Sequence, residues 1–151
     1  MHTIDPIDKK ILNRIQSDFP ITHRPYDTLA KEIGIGEADV LERVSRMRKQ
    51  GLIRRIGGNF VPEKLGYVST LCAASVPGNK IEHFTRIVNR YPGVTHNYQR
   101  DNRLNIWFTF IAPSRKDIIN NLKQISEETG IKDIRNLPAT RVFKIKAHFN
   151  L

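Results

Sequence analysis

The sequence predicts an α+β chain of two small domains, a winged helix-turn-helix over residues 1–61 and a ferredoxin-like βαββαβ domain over residues 67–151, joined by a hinge at 62–66. Three observations predict it. Helical periodicity with clear start and stop signals fills the first third of the chain. A Gly57-Gly58 turn flanked by short apolar runs follows it, as in a wing. The rest alternates strand-like and helix-like segments, the pattern of a sheet with helices on one face.

Each element has a local cause. Asp5-Pro6-Ile7-Asp8 supplies an N-cap, a proline at the first helical position and an acid in the first turn. Ile7, Ile11, Leu12 and Ile15 then make one apolar stripe, which Phe19-Pro20 ends. A second helix is expected over 27–33, closed by Gly34, and a third over 37–50, closed by Gly51. Ala30, Gly34 and Val40 have helix-turn-helix spacing, and Leu29, Ile33, Leu41, Val44 and Met47 supply further apolar surface. Leu52–Ile56 and Asn59–Val61 read as the strands of the wing. In the second half, strands are expected at 67–76, 93–100, 103–112, 131–136 and 142–149. Helices are expected at 80–91 and 115–129, the latter opened by a Ser114/Asp117 capping box.

Composition narrows the class of function. Hydrophobic content of 39% with 26% charged residues belongs to a globular chain. The N-terminal residues have neither the basic nor the apolar region of a secretory signal, and no apolar run approaches a membrane span. One cysteine, Cys72, excludes an internal disulfide and any multi-cysteine metal site, which fits a cytoplasmic protein. The net charge of +10 calls for an anionic partner. Residues 1–66 carry 12 Lys/Arg against 9 Asp/Glu, whereas residues 67–151 carry 13 against 6. The excess therefore lies outside the helix-turn-helix.

That distribution argues against reading DNA. The entry turns of the expected recognition helix carry Glu37, Asp39 and Glu42, three carboxylates that phosphates would repel. Arg43, Arg46, Arg48 and Lys49 further along, with Arg54 and Arg55 of the wing, are either a phosphate-binding set or a solvated face.

The segment Gly93–Thr109 is chemically the richest. Leu104, Ile106, Phe108 and Phe110 share one face of their strand, which must lie under the helices, so Asn105, Trp107 and Thr109 take the open face. A two-residue turn at Asp101-Asn102 pairs Arg100 with Arg103, Tyr98 with Asn105 and His96 with Trp107. The open face then gathers His96, Tyr98, Arg100, Asn105 and Trp107: a titratable imidazole, a phenol, a cation, an amide and a flat aromatic. The same group also suits a subunit interface. Small residues at Ser69, Thr70, Cys72, Ala73, Ala74 and Ser75 leave room above the sheet for a bulky ligand. His2, His23, His83 and His148 are scattered, and with one cysteine they give no zinc or iron–sulfur spacing.

The overall plan resembles the Lrp/AsnC family of ligand-binding proteins over nearly the whole chain. Three segments resemble its sirohaem decarboxylase branch: Ile53-Arg54-Arg55-Ile56-Gly57, Lys64-Leu65-Gly66-Tyr67, and the Gly-Val-Thr-His-Asn-Tyr…Arg…Asn-Ile-Trp-Phe-Thr hairpin, with Arg24-Pro25-Tyr26 in support. The resemblance implies non-oxidative loss of carbon dioxide from sirohaem acetate side chains, giving didecarboxysirohaem for an alternative haem or haem d1 pathway. It implies no cofactor beyond the iron tetrapyrrole substrate, and a paralogous subunit in a heterodimer, or a second copy in a homodimer. On that basis His96 is expected to donate a proton or ligate iron, and Tyr98 to be a second donor. Arg55, Arg100 and Arg54 would hold carboxylates, and Asn105 and Trp107 would shape the wall. The alternatives are a ligand-responsive transcription regulator of the same fold and a non-catalytic subunit whose paralogue supplies the chemistry.

Overall fold

The computed structural model describes residues 4–144, 149 and 151. In the first unit, which takes the chain up to Gly58 and the closing stretch from Lys144, three helices form: α1 (Pro6–Ser17), α2 (Pro25–Ile33) and α3 (Glu37–Lys49). The α1 start is a full capping box: the Asp8 N–H donates to Asp5 Oδ1 at 2.8 Å and the Asp5 N–H to Asp8 Oδ2 at 3.2 Å. Gly34 ends α2 at φ +83°, a left-handed position that glycine occupies without a Cβ penalty. Ile11, Leu29, Ala30, Val40, Val44, Met47 and Ile53 are the buried core of this unit. Leu41, expected among them, is 45% exposed.

The wing strands are not formed: residues 51–61 carry no strand. The N–H groups of Leu52 and Ile53 instead donate to the Met47 carbonyl, at 2.9 and 3.2 Å, and finish the last turn of α3. This draws Ile53 into the helical core. What remains is too short for an isolated two-stranded ribbon to hold together. The predicted closing strand at 142–149 is absent at Val142–Lys144 and Phe149, and residues 145–148, His148 among them, lie outside the described residues. Phe149 is held by α1, its N–H donating to Gln16 Oε1 at 3.0 Å and its carbonyl accepting from Gln16 Nε2 at 2.6 Å.

The second unit, Asn59–Phe143, opens with a single 3-10 turn at Pro62–Leu65 and continues as β1 (Val68–Ala74), α4 (Ile81–Val88), β2 (Val94–Gln99), β3 (Ile106–Ala112), α5 (Arg115–Thr129) and β4 (Ile134–Leu137). The strands form one antiparallel sheet in the order β2-β3-β1-β4. That is the split βαβ arrangement expected of βαββαβ. Cys72, Ala74, Ile106, Phe108, Phe110 and Ala112 pack under Phe84, Ile87 and Val88 of α4 and Ile118, Leu122 and Ile125 of α5. Gly93 is required by contact: a Cβ there would lie 1.9 Å from the Ile111 carbonyl oxygen.

One feature of the hairpin departs from expectation. Tyr98 pairs with Trp107 and His96 with Thr109, so the register is displaced by two residues and residues 101–104 form the loop. A two-residue turn of the favoured kind needs left-handed residues, yet among the described residues no non-glycine residue has a positive φ. Asn102 builds a wider turn, its Oδ1 accepting from the Leu104 N–H at 3.2 Å, while the Arg100 N–H donates to the Asn105 carbonyl at 2.8 Å. Because the shift is even, His96, Tyr98 and Trp107 keep their predicted face, whereas an irregularity between Val94 and His96 pairs Val94 with Phe110 and turns it into the core.

Candidate active site

Burial alternates strictly along β3. Ile106, Phe108, Phe110 and Ala112 are buried, and Trp107, Thr109 and Ile111 between them are half-buried. Directly paired residues share a face, so the open face can be read row by row. One row across the sheet is Tyr98, Trp107, Ala73 and Arg135; the next is His96, Thr109, Leu71 and Leu137. His96 and Tyr98 are exposed neighbours on β2, their rings stacked at 6.0 Å between centroids and 24° between planes.

The contacts of this face are specific. His96 Nδ1 lies 3.0 Å from the Thr95 hydroxyl. That contact restrains the ring through Nδ1, with either atom able to donate. The Arg100 guanidinium lies 6.0 Å from the centre of the Trp107 indole, a cation–π distance. Trp107 donates from Nε1 to the Leu104 carbonyl at 2.6 Å, which anchors the indole over the loop. Asn105 is used differently. Its Oδ1 accepts from the Val76 N–H at 2.9 Å and its Nδ2 donates to the Val76 carbonyl at 2.8 Å, so the amide clips the start of β3 to the end of β1. Cys72 is buried on the helix side, and burial pushes its thiol up to about 12, which leaves it inert near neutrality.

Residues 8–54 match a siroheme decarboxylase NirDL-like helix-turn-helix domain, and residues 64–144 an AsnC-like ligand-binding domain. The chain is 47% identical over 148 residues to the "Siroheme decarboxylase alpha subunit" of Desulfovibrio desulfuricans, covering 98% of this chain and 85% of that protein. It belongs to the sirohaem decarboxylase family. A crystal structure of the siroheme decarboxylase NirDL in co-complex with an iron-uroporphyrin III analogue superposes with a TM-score of 0.68 at 32% identity, covering 95% of this chain and 47% of that one. The chain thus spans about half the length of that protein. LrpC of B. subtilis superposes with a TM-score of 0.79 at 19% identity over 96% of this chain and all of its own, and shares the fold.

In this sirohaem decarboxylase family member, Arg54 and Arg55 belong to the first unit. Both are exposed and line a mostly apolar cleft of about 800 Å³ together with Leu12, Ile15, Phe19 and Ile56. Several cations of the helix-turn-helix are held by carboxylates. Asp8, 1% exposed, accepts from Arg43 at 2.9 Å and from Arg46 at 2.8 and 2.6 Å. Arg43 also donates to Asp5 at 2.5 Å and to Asp39 at 2.8 Å. Hydrogen bonds to these carboxylates raise the Arg43 pKa, and Arg43 in turn holds the Asp5 carboxyl below its usual range. Arg24 is paired with Glu37 at the start of α3. His23 and His83 are exposed, and His83 lies on α4, one of the two helices that cover the buried face of the sheet. Among the described residues no cluster of three or more metal-ligating side chains occurs, and no helix is long and apolar enough to cross a membrane.

The position that sequence reasoning missed is Arg135. It reaches the Tyr98–Trp107 row only through pairing of β4 with β1, a contact between strands that are distant in the chain.

Proposed function

We propose that the chain is a subunit of a cytoplasmic sirohaem decarboxylase, which removes carbon dioxide from acetate side chains of sirohaem to give didecarboxysirohaem. The observation that carries this reading is the meeting of His96, Tyr98, Arg100 and Trp107 on the uncovered side of the sheet in a chain of this family. The iron tetrapyrrole is the substrate, and no further cofactor is required. Its relatives are described as alpha, NirG and NirDL subunits, and a paralogous subunit completes the enzyme.

The chemistry follows from the residue types. The bond between the acetate methylene and its carboxylate breaks, carbon dioxide leaves, and the electron pair is delocalised into the conjugated ring. A proton delivered to the methylene then makes a methyl group, with no change in oxidation state. His96, restrained at Nδ1 by Thr95, is the proton donor, and Tyr98, stacked beside it, is the second. Arg100, poised over Trp107, binds a neighbouring carboxylate. Asn105 acts through position, holding the strand that carries Trp107.

The regulator alternative requires free cations on the recognition helix. Arg43 and Arg46 are committed to Asp8, which leaves Arg48 and Lys49 exposed at the far end of α3, behind the acidic entry turns of Glu37, Asp39 and Glu42. The test is anaerobic incubation with sirohaem, alone and with the paralogous subunit, followed by mass spectrometry. Loss of two carboxyl groups supports the reading. Unchanged sirohaem in both mixtures, together with salt-dependent affinity for duplex DNA, contradicts it.

A further inference from the structure

We propose that Arg135 anchors a substrate carboxylate on the rim of the sheet opposite His96 and Tyr98, and so favours a macrocycle with acid side chains around its whole edge. The inference rests on the open face being the bed for the tetrapyrrole. Tyr98, Trp107, Ala73 and Arg135 are consecutive partners across the four strands. Ile134 packs into the core beneath the sheet, so Arg135, its neighbour on β4, belongs to the opposite face. Three strand spacings of about 4.8 Å put Tyr98 and Arg135 about 14 Å apart, comparable to a tetrapyrrole with its acid side chains. Between them lie the half-buried indole of Trp107 and Ala73, which is itself covered by its neighbours, and the adjacent row adds Leu71 and Leu137, each 42% exposed. The floor is apolar and low, with a proton-donating pair at one rim and a cation at the other.

Arg135 is also oriented for this work. Its Nε donates to Asp133 Oδ1 at 2.7 Å, while Asp133 Oδ2 accepts from Arg103 at 2.7 Å. One carboxylate thus steadies two guanidiniums and leaves a net positive charge. The terminal nitrogens of Arg135 have no partner among the described residues, and its side chain is 58% exposed. Holding Nε while freeing the fork of terminal nitrogens is how an arginine is set to grip a second carboxylate.

The test is titration of the intact protein, with its partner subunit, followed at the Soret band. The two ligands are iron uroporphyrin, which has acids on every pyrrole, and iron mesoporphyrin, which has two. Arg135→Ala should weaken the first about tenfold or more, the loss expected for a charge-assisted hydrogen bond. It should change the second far less, and Arg135→Lys should recover part of the difference. Arg86→Ala, on the exposed side of α4, should match wild type for both. Equal affinity of Arg135→Ala and wild type for iron uroporphyrin overturns the assignment, as does equal weakening towards both porphyrins. Trp107→Ala separates the two levels of the argument. If it weakens binding and Arg135→Ala does not, only the anchor fails. If neither matters, the bed itself is elsewhere.

Discussion

Replacing Asp8 with alanine tests how the helix-turn-helix has been turned into a scaffold. Asp8 is 1% exposed and meets Arg43 and Arg46 through three contacts of 2.6 to 2.9 Å. Removing one member of a buried ion pair costs about 3–5 kcal/mol when the other charge is stranded. Here the loss is softened. Arg43 keeps Asp5 and Asp39, and the Arg46 side chain, 45% exposed, recovers water. The reciprocal bond of the capping box is lost as well. The net expectation is about 2–3 kcal/mol of destabilisation, against at most about 1 kcal/mol for Arg46→Ala, which removes a half-exposed cation and leaves Asp8 paired with Arg43. With slopes of about 1–3 kcal/mol per molar in urea, Asp8→Ala should lower the midpoint followed by far-UV circular dichroism by about 0.7–3 M. A midpoint equal to that of Arg46→Ala would refute the reasoning, because the network would then be a surface ornament and its cations free for other partners.

Further outcomes follow from the same contacts. Gly93→Ala should destabilise the hairpin severely, since its Cβ would sit 1.9 Å from the Ile111 carbonyl oxygen; loss of hydrogen-exchange protection in β2 and β3 reads this directly. Asn105→Ala strands the Val76 N–H and carbonyl, at a cost of about 1–3 kcal/mol, and the thermal midpoint should fall while Asn105→Asp recovers only one of the two bonds. Acid should unfold the chain through carboxylates held below their usual range: Asp5 by Arg43, Asp27 by Lys31, Glu32 by Arg14 and Asp133 by Arg103. For groups depressed in this way the stabilisation is complete above the ordinary carboxylate range and disappears as pH falls through the lowered values. Stability measured against pH should therefore be flat near neutrality and drop on the acid side.

Much of this molecule can be read from local signals, and the failures share a cause. The helix starts at Asp5 and Ser114 and the stops at Gly34 and Gly130 are encoded within a few residues, and strict alternation in β3 fixes which face is buried. Those signals sufficed to place His96, Tyr98, Arg100 and Trp107 together, because a two-residue error in register leaves facing unchanged. The register itself depended on how Asn102 folds its loop, which alternation does not encode. The wing was lost because Leu52 and Ile53 finish α3 in preference to starting a strand. The contacts of Asn105 with Val76, of Asp8 with Arg43 and Arg46, and of Arg135 with the central row all join residues at least 29 positions apart. Sequence periodicity carries no information about such pairs.

The most direct test of the central claim is single-turnover decarboxylation of sirohaem by wild type and by His96→Ala, with binding followed separately at the Soret band. A positioned general acid contributes about a hundredfold or more, so His96→Ala should bind the tetrapyrrole and lose its acetate carboxyls at least about a hundred times more slowly. A Soret maximum displaced relative to wild type would identify the imidazole as an iron ligand instead. An unchanged rate with an unchanged spectrum would contradict the claim that His96 delivers the proton.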